Sequence, residues 1–187
     1  MIAVRCAALP LVLALGLSST ACAPRFTALA QGPVDQAAVR SLSPVYLSPL
    51  QIAFQPDYES AEVWADHTQA WSDAFHARVI SASAGRDGHR VQLLPPGAAV
   101  ASGLVIVVTV REVRKADLGF SGEHVVADVT LLDARSGKKA LTATLDVSAR
   151  RVAAGFEGYT FGGRVKFAFL NLADAIVDAL DRGHFES

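Results

Sequence analysis

Cysteine is almost missing from this sequence, and its only two copies, Cys6 and Cys22, both fall near the start. Nothing from residue 23 onward can form an internal disulfide, so a domain built there is held by its core alone. Charge of one sign is lacking as well. The 17 Lys and Arg nearly balance 18 Asp and Glu, for a net charge of −1. A nucleic-acid partner is therefore not expected, because that needs a clustered basic excess. The chain also lacks internal repeats, low-complexity tracts and any apolar run of the roughly 20 residues that a membrane-spanning helix requires. Three chemical signatures are missing too: the Gly-x-Ser-x-Gly elbow, the Gly-Lys-Ser/Thr end of a phosphate loop, and His-x3-His metal spacing.

What is present begins with a three-part amino terminus. Arg5 supplies a positive charge, Cys6–Leu17 is uncharged and rich in Leu, Val and Ala, and Ser18–Ala21 is a run of small residues. That layout is an export signal, expected to occupy residues 1–21 and to be removed. Ser19-Thr20-Ala21-Cys22 is similar to the lipobox of bacterial lipoproteins, with Ser19 where Leu is usual. The resemblance implies that Cys22 carries a diacylglyceryl group. Ala23, in place of the Asp that marks inner-membrane retention, implies the periplasmic face of the outer membrane. Ordinary signal cleavage after Ser19-x-Ala21, leaving Cys22 a free thiol, is the alternative. Residues 22–43, without a sustained apolar period, read as the lipidated cysteine and a flexible tether whose ends would lie roughly 25 Å apart. A short helix over Pro33–Leu42 is compatible with that reading.

Residues 44–187 read as one domain, long enough for a sizeable core. In "VYLSPLQIAFQ", Leu50, Ile52 and Phe54 alternate with polar or small residues as in a half-buried strand. The stretch from Ser60 to Ser81 brings Trp64, His67 or Thr68, Trp71, Phe75 and Val79 onto one stripe, the spacing of an amphipathic helix whose start either Ser60 or Asp57 can cap. A strand "HRVQLL" follows. "LVIVVTVREVRK" is apolar on both faces in its first half, as a central strand would be. "DARSG" separates two alternating runs, one with Val125, Ala127, Val129 and Leu131 facing one way, the other with Leu141, Ala143, Leu145 and Val147, which together predict a hairpin. Phe169, Leu172 or Ala173, Ile176 and Leu180 mark a second helix ending at Gly183. The expected fold is α+β, with two helices packed on a largely antiparallel sheet of about five strands in the order β-α-β-β-β-β-α.

No catalytic constellation emerges, and no cofactor or metal is expected. His67 and His76 are nine residues apart and so point to different sides of one helix. The remaining histidines, His89, His124 and His184, show no ligand spacing. Asp73 and His76 at i, i+3 read as a solvated pair, and Asp174, Asp178 and Asp181 as a solvated helix face. In "GFEGYTFGGRVK", glycines lead into a helix start, which leaves three readings open. The segment covers the sheet, contacts a partner through Phe156, Tyr159, Phe161 and Arg164, or holds an anion with Arg164 and Lys166.

The element order over residues 44–183, together with "VVADVTLLDARSGKKAL", is similar to envelope lipoproteins grouped as domain of unknown function 4410. That resemblance implies an α/β sandwich lipoprotein with no assigned activity and no site residues to carry over. The function expected is that of a non-enzymatic, lipid-anchored envelope protein, an accessory or interaction subunit of a periplasmic or outer-membrane assembly. Its partners would be the membrane, through its anchor, and another envelope protein; oligomeric state stays open. The alternative is a periplasmic binding module for a small or lipidic ligand. A contact patch around Phe156–Phe161 would favour the first, and an enclosed apolar cavity beside Trp64 and Trp71 the second.

Overall fold

The computed structural model describes residues 26–56, 59–86, 89–114, 123–149 and 160–186. In chain order the elements are β1 (Phe26–Gln31), α1 (Gln36–Ser41), β2 (Val45–Leu47), β3 (Gln51–Ile52), α2 (Ala61–Ser83), β4 (Val91–Leu93), β5 (Leu104–Arg114), β6 (His124–Asp133), β7 (Lys139–Ser148) and α3 (Phe161–Arg182). The fold is α+β, as the periodicities indicate. Its described residues hold three helices and a seven-stranded sheet rather than two helices and about five strands.

The hairpin is the best-specified part. Val125 pairs with Val147, Ala127 with Leu145, Val129 with Ala143 and Leu131 with Leu141, so both apolar sets share one face. Its turn closes as the side chains require. Asp133 Oδ1 accepts from the Arg135 N–H at 2.9 Å, and the Gly137 N–H donates to Asp133 O at 2.8 Å. Gly137 sits at φ 68°, where a Cβ would strain the backbone. The Ser136 and Arg135 hydrogen bonds hold the exposed Asp133 carboxyl below the usual carboxylate range.

β5 pairs antiparallel with β6 on one side and parallel with β2 and β3 on the other. This accounts for its doubly apolar first half. Leu104, Ile106, Val108 and Val110 are completely buried, while Val105 and Val107 on the opposite face are half-buried. The strand order is β1-β7-β6-β5-β2-β4, with β3 attached to β5. The sheet is thus mixed: antiparallel from β1 to β5, parallel at β2, β3 and β4. The single strand expected over "VYLSPLQIAFQ" is two, β2 and β3. The break falls at Pro49, which has no N–H to give to a ladder.

Residues 26–41 correct the tether reading. Phe26–Gln31 forms an edge strand on β7, and Asp35 caps α1 by accepting from the Ala38 N–H at 2.9 Å. Val39, in α1, is fully buried. Tertiary pairing with β7 supplies the order that no local apolar period announces. Residues 1–25, with the signal and Cys22, lie outside the described residues.

The two long helices cover one face of the sheet. Ser60 caps α2 and Thr160 caps α3, each accepting from a backbone N–H three residues on, and Gly183 ends α3 at φ 78°. Trp64, Trp71, Phe75 and Val79 of α2 and Phe169, Leu172, Ile176 and Leu180 of α3 are buried as their spacing predicts. α3 begins at Phe161, about two turns before Phe169, where the predicted apolar stripe starts. Gly162 in its first turn lies close to α2: a Cβ there would stand 2.7 Å from His67 Cε1, so the imidazole would have to shift to admit one.

Candidate functional site

Three places on this scaffold bring chemically capable side chains together. The first is the corner where α3 starts. Trp71 donates its indole N–H to Gly162 O at 2.9 Å, and its ring is stacked on Phe169 and His67 and edge-on to Trp64 and Phe161. Trp64 donates to Phe54 O at 2.9 Å. Arg164 Nε donates to Glu123 Oε1 at 2.6 Å, and Glu123 is only 1% exposed. Its other oxygen meets no hydrogen-bond partner among the described residues.

Of the four residues expected to contact a partner, Phe156 and Tyr159 lie outside the described residues. Phe161 and Arg164 are engaged internally, the first against Trp71 and His67, the second with Glu123. Aromatic rings also occupy the surroundings of the two indoles, where a ligand cavity was the alternative.

The second place is the sheet face away from the helices. Tyr46, Val105 and Leu132 are register partners across β2, β5 and β6, and all three are half-buried. Val107 stands on the same face, opposite Thr130. Further along, Arg111 and Thr144 both donate to the Asp128 carboxylate, at 2.5 and 2.7 Å. With Gly32, Thr130, Lys139 and Thr142 they border a polar basin of about 240 Å³. This network was missed in the sequence. Its signal, Asp128 and Thr144 on the outward parity of the hairpin, is readable only once the register is known.

The third is a groove of about 470 Å³ between α2 and the ends of β2 and β4, with Pro49, Leu50, His76, Leu93, Leu94 and Pro95 among its walls. His76 Nε2 accepts the Leu50 N–H at 3.1 Å. Burial pushes its pKa below the ordinary imidazole value of 6.5, and the nearby Asp73 carboxylate offsets this only in part. Folding thus disfavours the protonated ring, so the unfolded chain binds more protons and stability falls as pH drops below 6.5. A His76→Gln variant, whose amide oxygen can still accept from Leu50, should show a shallower loss of thermal midpoint over that range. An equal slope in both proteins would remove His76 as the cause.

The other histidines have separate surroundings. His124 Nδ1 lies 2.7 Å from Asp146 Oδ1, His184 contacts Arg182 O, and the buried His89 Nδ1 meets no hydrogen-bond partner among the described residues. Among the described residues no group of three His, Cys, Asp or Glu side chains is placed to hold a metal. The acidic face of α3 is engaged by α2 and the segment after it. Arg78 grips Asp174 with two hydrogen bonds, at 2.7 and 2.9 Å, and Arg86 reaches Asp178 and Asp181. Among the described residues no helix is long and apolar enough to cross a membrane.

Neither the family models nor the curated proteins contain a match to this chain. Solved structures of low similarity do. The PelC dodecamer from Paraburkholderia phytofirmans aligns at TM-score 0.43 with 13% identity, covering 87% of this chain and 100% of that one. A putative neuraminyllactose-binding hemagglutinin homolog from Helicobacter pylori aligns at 0.41 with 11% identity, over 72% and 83% of the two chains. The hypothetical protein CT253 from Chlamydia trachomatis aligns at 0.39 with 11% identity, over 74% and 96%. At these scores the likenesses carry no argument about function, which rests on the residues themselves.

Proposed function

We propose that this chain is a lipid-anchored protein of the bacterial envelope that works by binding, as an accessory subunit held against another envelope protein, and that it sits on the periplasmic face of the outer membrane. The anchor rests on Ser19-Thr20-Ala21-Cys22. The binding role is carried by one observation. One sheet face is sealed by helices, while the other leaves the row Tyr46, Val105 and Leu132, with Val107 beside it, only half-buried. Such a row can be covered by a partner at little desolvation cost, and the flanking Arg111, Asp128 and threonines supply the polar rim of an interface.

Two substitutions test the two parts. Cys22→Ala should move the protein from the membrane to the soluble fraction and abolish the mass added at its first mature residue; membrane retention by the variant would refute the anchor. Val107→Glu should reduce the size of the gently solubilised protein to that of one chain while keeping a single cooperative unfolding transition, at a stability loss of about 1 kcal/mol for a charge on a half-buried strand position. A wild-type extract that already sediments as a single chain would refute the interface.

A second reading, a binding module for a small lipidic ligand, is favoured by the groove beside His76, whose walls include Leu50, Leu93, Leu94 and three prolines. It predicts that a fluorescent fatty acid binds the purified protein and that Leu94→Gln weakens it several-fold. Saturable binding unchanged by that substitution would place the ligand elsewhere.

A further inference from the structure

Three residues, Ala23, Pro24 and Arg25, separate Cys22 from Phe26, where β1 begins, so the two are four steps of chain apart. A chain that short spans at most about 14 Å even when fully extended. The place where β1 begins therefore decides which part of the domain can lie near the lipid. Phe26 pairs with Val147, Val147 with Val125, and Val125 with Val113, so one rung of the sheet joins the amino terminus of the fold to the last residues of β5, the first of β6 and the last of β7. The opposite end of the sheet, at Leu104, Asp133 and Lys139, is roughly 30 Å away along the strands. A 14 Å leash cannot bring that end to the headgroups unless the whole domain topples.

The helices share this polarity. Trp64 near the start of α2 donates to Phe54 O, just beyond β3, which runs parallel to β5 towards Arg114. α3 starts beside Glu123, and its Asn171 donates to Ser148 O at the end of β7. Further along, Arg78 meets Asp174 and Arg86 meets Asp178 and Asp181, so the two helices run in the same direction. Their amino-terminal ends, capped by Ser60 and Thr160, thus both point towards the end of the sheet from which the anchor emerges. The α3 end has no acidic residue in its first turn and carries a partial positive charge, the sign that suits phosphate headgroups, whereas Glu62 offsets that charge at the α2 end.

We infer that the end of the domain bearing Phe26, Arg114, His124, Ser60 and Thr160 lies against the lipid surface, and that the Asp133–Gly137 turn points away from it. This rests on the lipid anchor proposed above. It also gives the open sheet face a setting: the row Tyr46, Val105 and Leu132 belongs to the far end, held clear of the bilayer and accessible to a partner in the periplasm.

The test uses the full acylated protein in vesicles of phosphatidylethanolamine and phosphatidylglycerol that carry a headgroup nitroxide quencher. With Cys22 acylated, a cysteine introduced at Arg114→Cys or Ser136→Cys is the only thiol available for a fluorophore. Quenching several-fold stronger at residue 114 than at residue 136 is expected. Equal quenching, or stronger quenching at 136, in protein that floats with the vesicles would overturn the orientation and leave the anchor standing. Protein that fails to float, with no added mass on Cys22, would overturn the anchor and the orientation with it.

Discussion

Replacing Trp71 with Ala is expected to lower the folding free energy by about 3–5 kcal/mol, the range for removing a fully buried large aromatic. Trp71 is 1% exposed and stands where the two long helices meet. Its ring lies 5.6 Å from Phe169 and 5.3 Å from His67, both stacked, and 5.2 Å from Trp64 edge-on. The void left by its removal would be walled by the rings of Trp64, His67, Phe161 and Phe169, which cannot all move into it. Trp71→Phe separates packing from hydrogen bonding. It keeps a stacked ring but takes the indole donor from Gly162 O, at a cost of about 1 kcal/mol from that bond with a further share from lost volume. Urea unfolding followed by far-UV circular dichroism reads both, since fluorescence would change with the tryptophan itself. A loss below about 1 kcal/mol for Trp71→Ala would mean that this corner is not packed as described.

The second large effect concerns Arg164. A partner-contact role predicts that Arg164→Met leaves the isolated protein's stability almost unchanged, whereas the structure predicts a loss of about 3–5 kcal/mol. The Arg164 side chain is 16% exposed and Glu123 1% exposed, so truncating the arginine leaves a carboxylate out of water without its charged partner. Glu123→Met should cost a similar amount for the converse reason. The double variant, which removes both charges, should be more stable than either single one, since the desolvation penalty goes with them. Additive losses in the double variant would show that the two side chains do not depend on each other.

These two residues mark how far the sequence could be read. Trp71 declares itself through the spacing Trp64, Trp71, Phe75 and Val79, because a helix repeats its buried stripe locally. Gly162 does not. In sequence it belongs to a glycine-rich run that reads equally well as a loop, and only the tertiary structure brings His67 of another helix against it. Arg164 looked outward for the same reason. Its partner Glu123 lies 41 residues earlier, and nothing local ties the two. Asp174, Asp178 and Asp181 are a similar case: their alignment on one helix face is legible, and their capture by Arg78 and Arg86 is not.

The sequence by itself determined the α+β class, the hairpin with its turn, the Gly183 end of α3 and the buried stripes of both long helices. These follow from periods, turn chemistry and capping, which act over a few residues and leave a local trace. The tertiary structure alone decided that residues 26–41 join the domain, that β2, β3 and β4 run parallel to β5, and that β1 begins at Phe26. The physical reason is that an edge strand such as β1 is stabilised by the hydrogen bonds and side chains of its neighbour, here more than a hundred residues away, so its own residues need carry no pattern.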